Sequence, residues 1–352
     1  MILGSIYCKY GISMFVDRSY FDLNLSPSEW RSIMKDKTVL LIGGPHRGGT
    51  TIIWKAITQH PLVAGFGSTF ESGADHSEGI LIQDVYPQFG VGMEKIMANM
   101  AGFKTQMIGA GKYALGDEAK VHLIETDEKV TPSNMAKLLN RFGSYWNLTK
   151  PVLAEKSPPT AVMSRFLQAL YNVPVIESEA QGTHLTKFLF ITRHPIANVY
   201  AHYSLVGGSH VVPFDTLMEN YMQLHRYLKS DLPHLHNDPM LIRLEDFVTS
   251  PSDTLHKIFS WLGIDASEAT TKDVLTRTEV IHSDPNAKYR KKWCGIHPKN
   301  RADVEGKYQL IVDDLDLGYS LKGWCKEDQA RYQQDQKLQK VGNTKSRMPG
   351  DL

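Results

Sequence analysis

The chain has 352 residues, of which 42% are hydrophobic and 22% charged, and a formal net charge of +1. These values suit a globular protein with a sizeable core, and the near-neutral balance excludes a broad nucleic-acid or polybasic membrane surface, so any cationic site is local. No run approaches the ~18 consecutive apolar residues of a membrane span.

The N-terminal stretch MILGSIYCKYGISMFV is interrupted by Lys9 and glycines and makes a poor signal peptide, so a cytoplasmic location is expected, with the Golgi lumen as the alternative if the N-terminus is truncated. Leu25–Met34 reads as a helix opened by Ser26, Pro27 and Glu29. Val39–Ile42 is an apolar strand, and a helix follows over Thr50–Gln59. Gly65–Gly116 is glycine-rich with weak periodicity and is read as the wall of a substrate pocket, where Phe70, Tyr86 and Phe89 are candidate lining residues or core. Strand and helix then alternate: Val152–Ala154 and Thr160–Leu170, Phe188–Thr192 and Ala197–Ser204, Met240–Ile242 and Ser252–Leu262. This pattern predicts an α/β fold, a three-layer parallel sheet with helices on both faces. Ligands on such sheets bind beyond the C-terminal strand ends, where Arg47, Lys156 and Arg193 fall. Past Gln329 the chain is polar, and residues 328–352 are expected to be a disordered tail.

The most informative segment is VLLIGGPHRGGTTIIW, Val39–Trp54. A strand feeds a turn containing Gly43, Gly44, Gly48 and Gly49, and a helix opens at Thr50. Unpaired backbone N–H groups and the helix dipole converge there on one anion. Gly44 to Thr51 fits the P-loop NTPase-like spacing G-x-x-x-x-G-K-[ST], with Thr50 in the lysine position. That lysine serves the β/γ-phosphates of nucleotide triphosphates, so its replacement argues against a kinase or NTPase, while Arg47 keeps a cation in the loop.

The loop HRGGTT resembles the 5′-phosphosulfate loop of sulfotransferases that use 3′-phosphoadenosine 5′-phosphosulfate (PAPS), often HRSGTT in bacterial members. VLAEKSPPT (Val152–Thr160), FLFITRHPIANVYAHYS (Phe188–Ser204), MLIRLEDFVTSPSDTLHKIFSWLGI (Met240–Ile264) and LGYSL (Leu317–Leu321) resemble further segments of that family, in the expected order. Gln59–Pro87 resembles the acceptor side of a bacterial-type branch. The resemblance implies an N-terminal segment over 1–37 and a sulfotransferase domain over 38–327, with an acceptor-side insertion at 65–148.

Sulfuryl transfer, like phosphoryl transfer, is mostly positioning and charge stabilisation. The resemblance implies that Gly48, Gly49, Thr50 and Thr51 cradle the 5′-phosphate, that Arg47 meets the leaving-group charge, and that Lys156 lies beside the sulfuryl group. It also implies that Arg193 and a serine eight residues on grip the 3′-phosphate. Here that second position is Ala201, and Ser204, Tyr289 or Arg290 are the candidate substitutes, the last two from the basic turn NAKYRKKW. The general base is His122 or a carboxylate, with Glu78 as the main rival and Glu71 and Glu125 behind it. His60 and His194 read as structural neighbours of prolines. The implied donor is PAPS, leaving adenosine 3′,5′-bisphosphate (PAP). The implied acceptor is a hydroxyl of a small molecule or carbohydrate, with no metal, nucleic-acid or membrane partner. A P-loop kinase and a non-catalytic nucleotide-binding relative are the alternatives.

Cys8, Cys294 and Cys325 have no metal-ligand spacing, and buried reduced thiols are expected. The alternative is a Cys294–Cys325 pair beside Trp293 and Trp324. Asn147-Leu148-Thr149 is a glycosylation sequon that matters only in a secretory compartment.

Overall fold

The computed structural model describes residues 22–66, 78–88, 112–175, 185–206, 209, 212–278 and 284–325. Glu71, Phe70, Phe89 and the 328–352 tail lie outside the described residues.

Five strands form one sheet in the order β2-β3-β1-β4-β5: β1 (Thr38–Gly43), β2 (Val63–Ala64), β3 (Val152–Lys156), β4 (Thr186–Thr192) and β5 (Met240–Arg243). Every pairing is parallel. The near-continuous apolar runs are explained by burial on both faces. Val39, Leu41, Leu153, Phe188 and Phe190 enter one core cluster, whereas Leu40, Ile42, Ala154, Leu189 and Ile191 enter a second on the opposite face. The expected three-layer α/β architecture is the one observed.

The helices are α1 (Pro27–Met34), α2 (Thr50–Ile57), α3 (Glu118–Val121), α4 (Pro132–Gly143), α5 (Ser164–Asn172), α6 (Pro195–Val206), α7 (Phe214–Asp231), α8 (Leu244–Thr249), α9 (Pro251–Leu262), α10 (Glu268–Arg277), α11 (Ala287–Cys294) and α12 (Pro298–Asp314). The helix expected from Thr160 begins later. Pro158 and Pro159 impose a 3-10 turn over Pro158–Val162, and α5 follows from Ser164. Helix α4 lies beyond the irregular Gly65–Gly116 stretch, within the 65–148 insertion, where no helix was expected, and its signal was present: Thr131 caps it, Pro132 opens it, and six of its twelve residues are buried along one face. The basic turn NAKYRKKW is the helix α11, which buries Tyr289, Arg290 and Trp293 and exposes Lys288, Lys291 and Lys292.

A third cluster joins α6, α7, α11 and α12 to Tyr319, Leu321 and Trp324. Cys294 and Cys325 are joined by a disulfide across this cap, which corrects the expectation of reduced thiols. The cap brings the two cysteines within bonding range, with Cα atoms 5.6 Å apart, although 31 positions separate them in sequence.

Helix α1 is docked through a capping box at Ser26 and Glu29, and through Asn140 of α4. Asn140 Oδ1 accepts from Trp30 Nε1–H at 2.7 Å and from Leu25 N–H at 2.9 Å, while its amide donates to the Leu25 carbonyl at 3.0 Å. Asn140→Ala leaves the indole and backbone donors without their acceptor, and a loss of about 1–3 kcal/mol in unfolding free energy is expected, read by urea denaturation.

Candidate active site

The glycine-rich loop occupies the C-terminal end of β1, at the sheet centre. Its shape needs glycine at Gly44, with φ +144° and a virtual Cβ 2.2 Å from the Ile191 carbonyl, and at Gly49, with φ +101° and a virtual Cβ 2.6 Å from Leu244. Arg47 itself adopts φ 62°. Gly49 forms the N-cap of α2, and no side chain caps the first turn. The open N–H groups at Thr50 and Thr51 are thus available to an anion. Arg47 is exposed, and among the described residues its side chain makes no hydrogen bond or ion pair.

Donors from β4 and α6 fix the loop. Gly44 N–H donates to the Pro158 carbonyl at 3.0 Å. Asn198 donates to the His46 carbonyl at 2.9 Å, and Arg193 Nη1 to the Arg47 carbonyl at 2.9 Å. Arg193, 7% exposed, also donates from Nε to Asn286 Oδ1 and from Nη2 to the Pro285 carbonyl, each at 2.8 Å. The Tyr289 ring lies 5.0 Å from its guanidinium. Burial pulls its pKa down from the usual arginine range, but a guanidinium keeps its proton. Three of its five N–H groups are committed to protein oxygens, which leaves two.

Lys156 ends β3 in register with Ile42, one residue before the loop begins. It is fully buried, and its Nζ lies 2.5 Å from Glu78 Oε1. A buried lysine is tolerable because this carboxylate neutralises it. The loop residue His46 packs edge-on against Tyr113, with centroids 5.0 Å apart, and the Tyr113 hydroxyl reaches the Gly44 carbonyl at 3.5 Å. Burial lowers the His46 pKa to about 4, against the opposing pull of Glu78. His46 Nδ1 has no partner among the described residues. Loop, lysine, carboxylate and these two rings form one constellation.

The other candidates stand elsewhere. His122 Nε2 lies 2.9 Å from Asp231, which also accepts from Ser164, and the ring stacks on Tyr227 at 4.2 Å. Asp231 ends α7, ten residues beyond Tyr221, whose hydroxyl donates to the Arg193 carbonyl. Ten helical residues span about 15 Å, so the structure does not bring His122 to the loop; it clamps α3 to α7. Glu125 is paired with Arg165, which holds its pKa below the usual carboxylate range. Ser204 is exposed and gives its hydroxyl to the Ala201 carbonyl at 2.6 Å. Ala201 is fully buried in the third core cluster, which leaves no polar role at that position. Arg290 is ion-paired with Asp284 and packs over Trp324. Of the proposed 3′-phosphate group, Arg193 and Tyr289 are in contact. His60 and His194 are structural, as expected: His60 binds the Asp265 carbonyl, and His194 stacks on Trp324.

Sequence reasoning missed Glu245 and Asn286. Glu245 Oε1 accepts from His194 N–H at 2.9 Å and from Asn286 Nδ2 at 2.5 Å, while Oε2 accepts from the Tyr319 hydroxyl at 2.9 Å. Both residues lie inside motifs that were quoted, LEDF and NAKYRKKW, yet nothing local marks them.

A family model described as "Sulfotransferase family" matches residues 40–268, more than half of the chain. The chain belongs to the sulfotransferase family. Comparison with curated proteins finds no match. Among solved structures, the sulfotransferase is similar to one from Alicyclobacillus acidocaldarius at 12% identity, covering 80% of this chain and 95% of that one, with a TM-score of 0.45. STF9 from Mycobacterium avium aligns at 13% identity over 82% of this chain and 81% of its own, with a TM-score of 0.44. Mouse SULT7A1, complexed with PAP, aligns at 14% identity over 83% and 89% respectively, with a TM-score of 0.43. Among the described residues of this sulfotransferase, no helix is long and apolar enough to cross a membrane, and no cluster of His, Cys, Asp or Glu could hold a metal ion.

Five buried histidines have their pKa lowered by desolvation, His46 and His225 to about 4, His194 and His202 to about 3, and His60 in the same direction. The unfolded chain therefore binds more protons than the fold below about pH 6.5, and their stabilisation is complete above that pH and is lost as pH falls toward 4. Glu155, raised to about 7 by burial, acts in the opposite sense but is a single group. The unfolding free energy should fall between about pH 6.5 and 4.5, and His225→Leu should shallow that slope by up to about one proton in denaturation series at stepped pH.

Proposed function

We propose that this protein transfers the sulfuryl group of PAPS to a hydroxyl acceptor, with Glu78 as general base. The observation that carries this reading is the Glu78–Lys156 pair, 2.5 Å apart, at the root of an anion loop that has Thr50 in the NTPase lysine position. The loop fits a 5′-phosphate: two glycines in the left-handed region and an uncapped helix N-terminus supply N–H groups, and Arg47 supplies an exposed charge.

In this reading the acceptor oxygen bonds to sulfur as the bond from sulfur to the 5′-phosphate oxygen breaks. Glu78 takes the acceptor proton. The bond's electron pair stays on the departing phosphate oxygen, where Arg47, the Thr50 and Thr51 N–H groups and Lys156 offset the charge. Arginine stabilises that charge without donating its proton. The two uncommitted N–H groups of Arg193, beside the Tyr289 ring, are the candidate grip on the 3′-phosphate. A small-molecule or carbohydrate alcohol remains the acceptor class. Disulfides persist in oxidising compartments, so the Cys294–Cys325 bond supports a lumenal location over a cytoplasmic one.

Calorimetric titration with PAP and with ATP tests the donor site. PAP should bind at least tenfold more tightly, a difference of about 1.4 kcal/mol; preferential binding of ATP would transfer the loop to phosphoryl chemistry. Glu78→Gln keeps the side-chain shape and removes its basicity. It should lower kcat by about 10²–10⁴-fold while PAP affinity stays near wild type. Near-normal turnover in that variant would return the base assignment to another residue.

A further inference from the structure

A second buried polar cluster lies where the turn Gly79–Leu81 meets the end of β3. Glu155 Oε1 accepts from Gly79 N–H at 2.8 Å and from the Ser157 hydroxyl. Ser157 Oγ in turn accepts from Ile80 N–H at 3.0 Å. Two consecutive backbone donors of the turn therefore hang on these two side chains, each 2% exposed. The approach is close: a Cβ on Gly79 would lie 2.8 Å from Glu155 and 2.6 Å from the Phe142 ring. The residue before Gly79 is Glu78, which meets Lys156.

Successive strand residues point to opposite faces. Glu155 and Lys156, adjacent in β3, thus take the same turn from two directions, one by its backbone and the other by the Glu78 side chain. A carboxylate is a costly way to hold a turn in an apolar layer. Burial pushes the Glu155 pKa up to about 7, opposed by the Ser157 and Gly79 hydrogen bonds and by Lys156, and reinforced by Glu78. The other titratable groups facing it are the Tyr86 and Tyr171 hydroxyls, both held neutral by burial. Glu155 accepts from Gly79 and Ser157, so its influence runs through the neighbouring Glu78.

We propose that Glu155 is a positioning residue for sulfuryl transfer, holding the 78–81 turn together with Ser157 so that Glu78 is presented to Lys156 and the acceptor hydroxyl. The proposal rests on the reading of Glu78 as the base.

The test compares wild type with Glu155→Ala, Glu155→Gln and Ser157→Ala in three measurements: amide exchange at residues 79 and 80, calorimetric PAP affinity, and kcat with PAPS across a panel of phenols and alcohols. In Glu155→Ala the two amides should lose protection and kcat should fall by about 10²-fold, the scale of a misplaced catalytic group, with PAP affinity within about threefold of wild type. Glu155→Gln, whose amide oxygen can accept the same two bonds, should recover most of that loss. If Glu155→Ala does not fold, Ser157→Ala decides: it frees the Ile80 N–H, takes one donor from Glu155 while leaving the Gly79 bond, and should cost about tenfold in kcat at unchanged PAP affinity. Protected amides with unchanged kcat overturn the proposal, as does a kcat loss that tracks lost PAP affinity. A wild-type protein that binds no PAP and turns over no acceptor overturns the functional reading, and the proposal falls with it; normal wild-type turnover with an unaffected Glu155→Ala overturns the proposal alone.

Discussion

The site depends on one buried guanidinium. Arg193 leaves β4 and donates to oxygens from two distant parts of the chain, the Arg47 carbonyl in the loop and Pro285 with Asn286 ahead of α11. Burying such a charge is tolerable only when its donors are matched, and carbonyl oxygens match them without introducing a counter-charge. The loop is thereby tied to the C-terminal cap, although residues 47 and 286 are far apart in sequence. Glu245 extends the tie by accepting from Asn286, His194 and Tyr319, so β4, α8 and the cap share one hydrogen-bonded network. Removing one member of such a network strands the others in a low-dielectric interior.

The side of the loop facing β3 is organised by a different device. A buried lysine at the end of a central strand requires a neutralising partner, and the partner comes from the turn that begins at residue 78. Glu155 and Ser157 hold the backbone of that turn, and Tyr113 reaches the loop from the next described segment. Two charged groups, Lys156 and Arg193, therefore enter the loop region from the two strands that flank β1, each held by oxygens from elsewhere in the chain. The sheet order puts these flanking strands on either side of the loop, and the parallel direction puts their C-terminal ends level with it.

The Cys294–Cys325 disulfide and the Trp324–His194 stack close the cap on the same network. His194 is the chain neighbour of Arg193, so the packing of the C-terminal segment anchors the backbone that carries the guanidinium. The burial of Ala201 in this cap has a related consequence. That helix position is occupied by core packing, and Tyr289 from α11 covers the Arg193 guanidinium.

Local patterning alone was enough for much of this protein. The apolar runs at Val39, Val152 and Phe188 fix parallel strands because a sheet covered on both faces admits few polar positions. The glycines around Arg47 fix the turn between β1 and α2 because only glycine tolerates the backbone of Gly44 and Gly49. What the sequence could not rank were side chains whose roles depend on partners far away. His122 and its rival Glu78 were both candidates for a base, and the fold stacks the first on Tyr227 against Asp231 and sets the second on Lys156. Arg290, a candidate phosphate ligand, is paired by the fold with Asp284, and Glu155, which had no role in the sequence reading, accepts from the Gly79 turn. Chain-local preferences determine strands, caps and glycine turns. Which charges meet is decided only when the tertiary structure excludes water from between them, because burial is what makes a particular partner necessary.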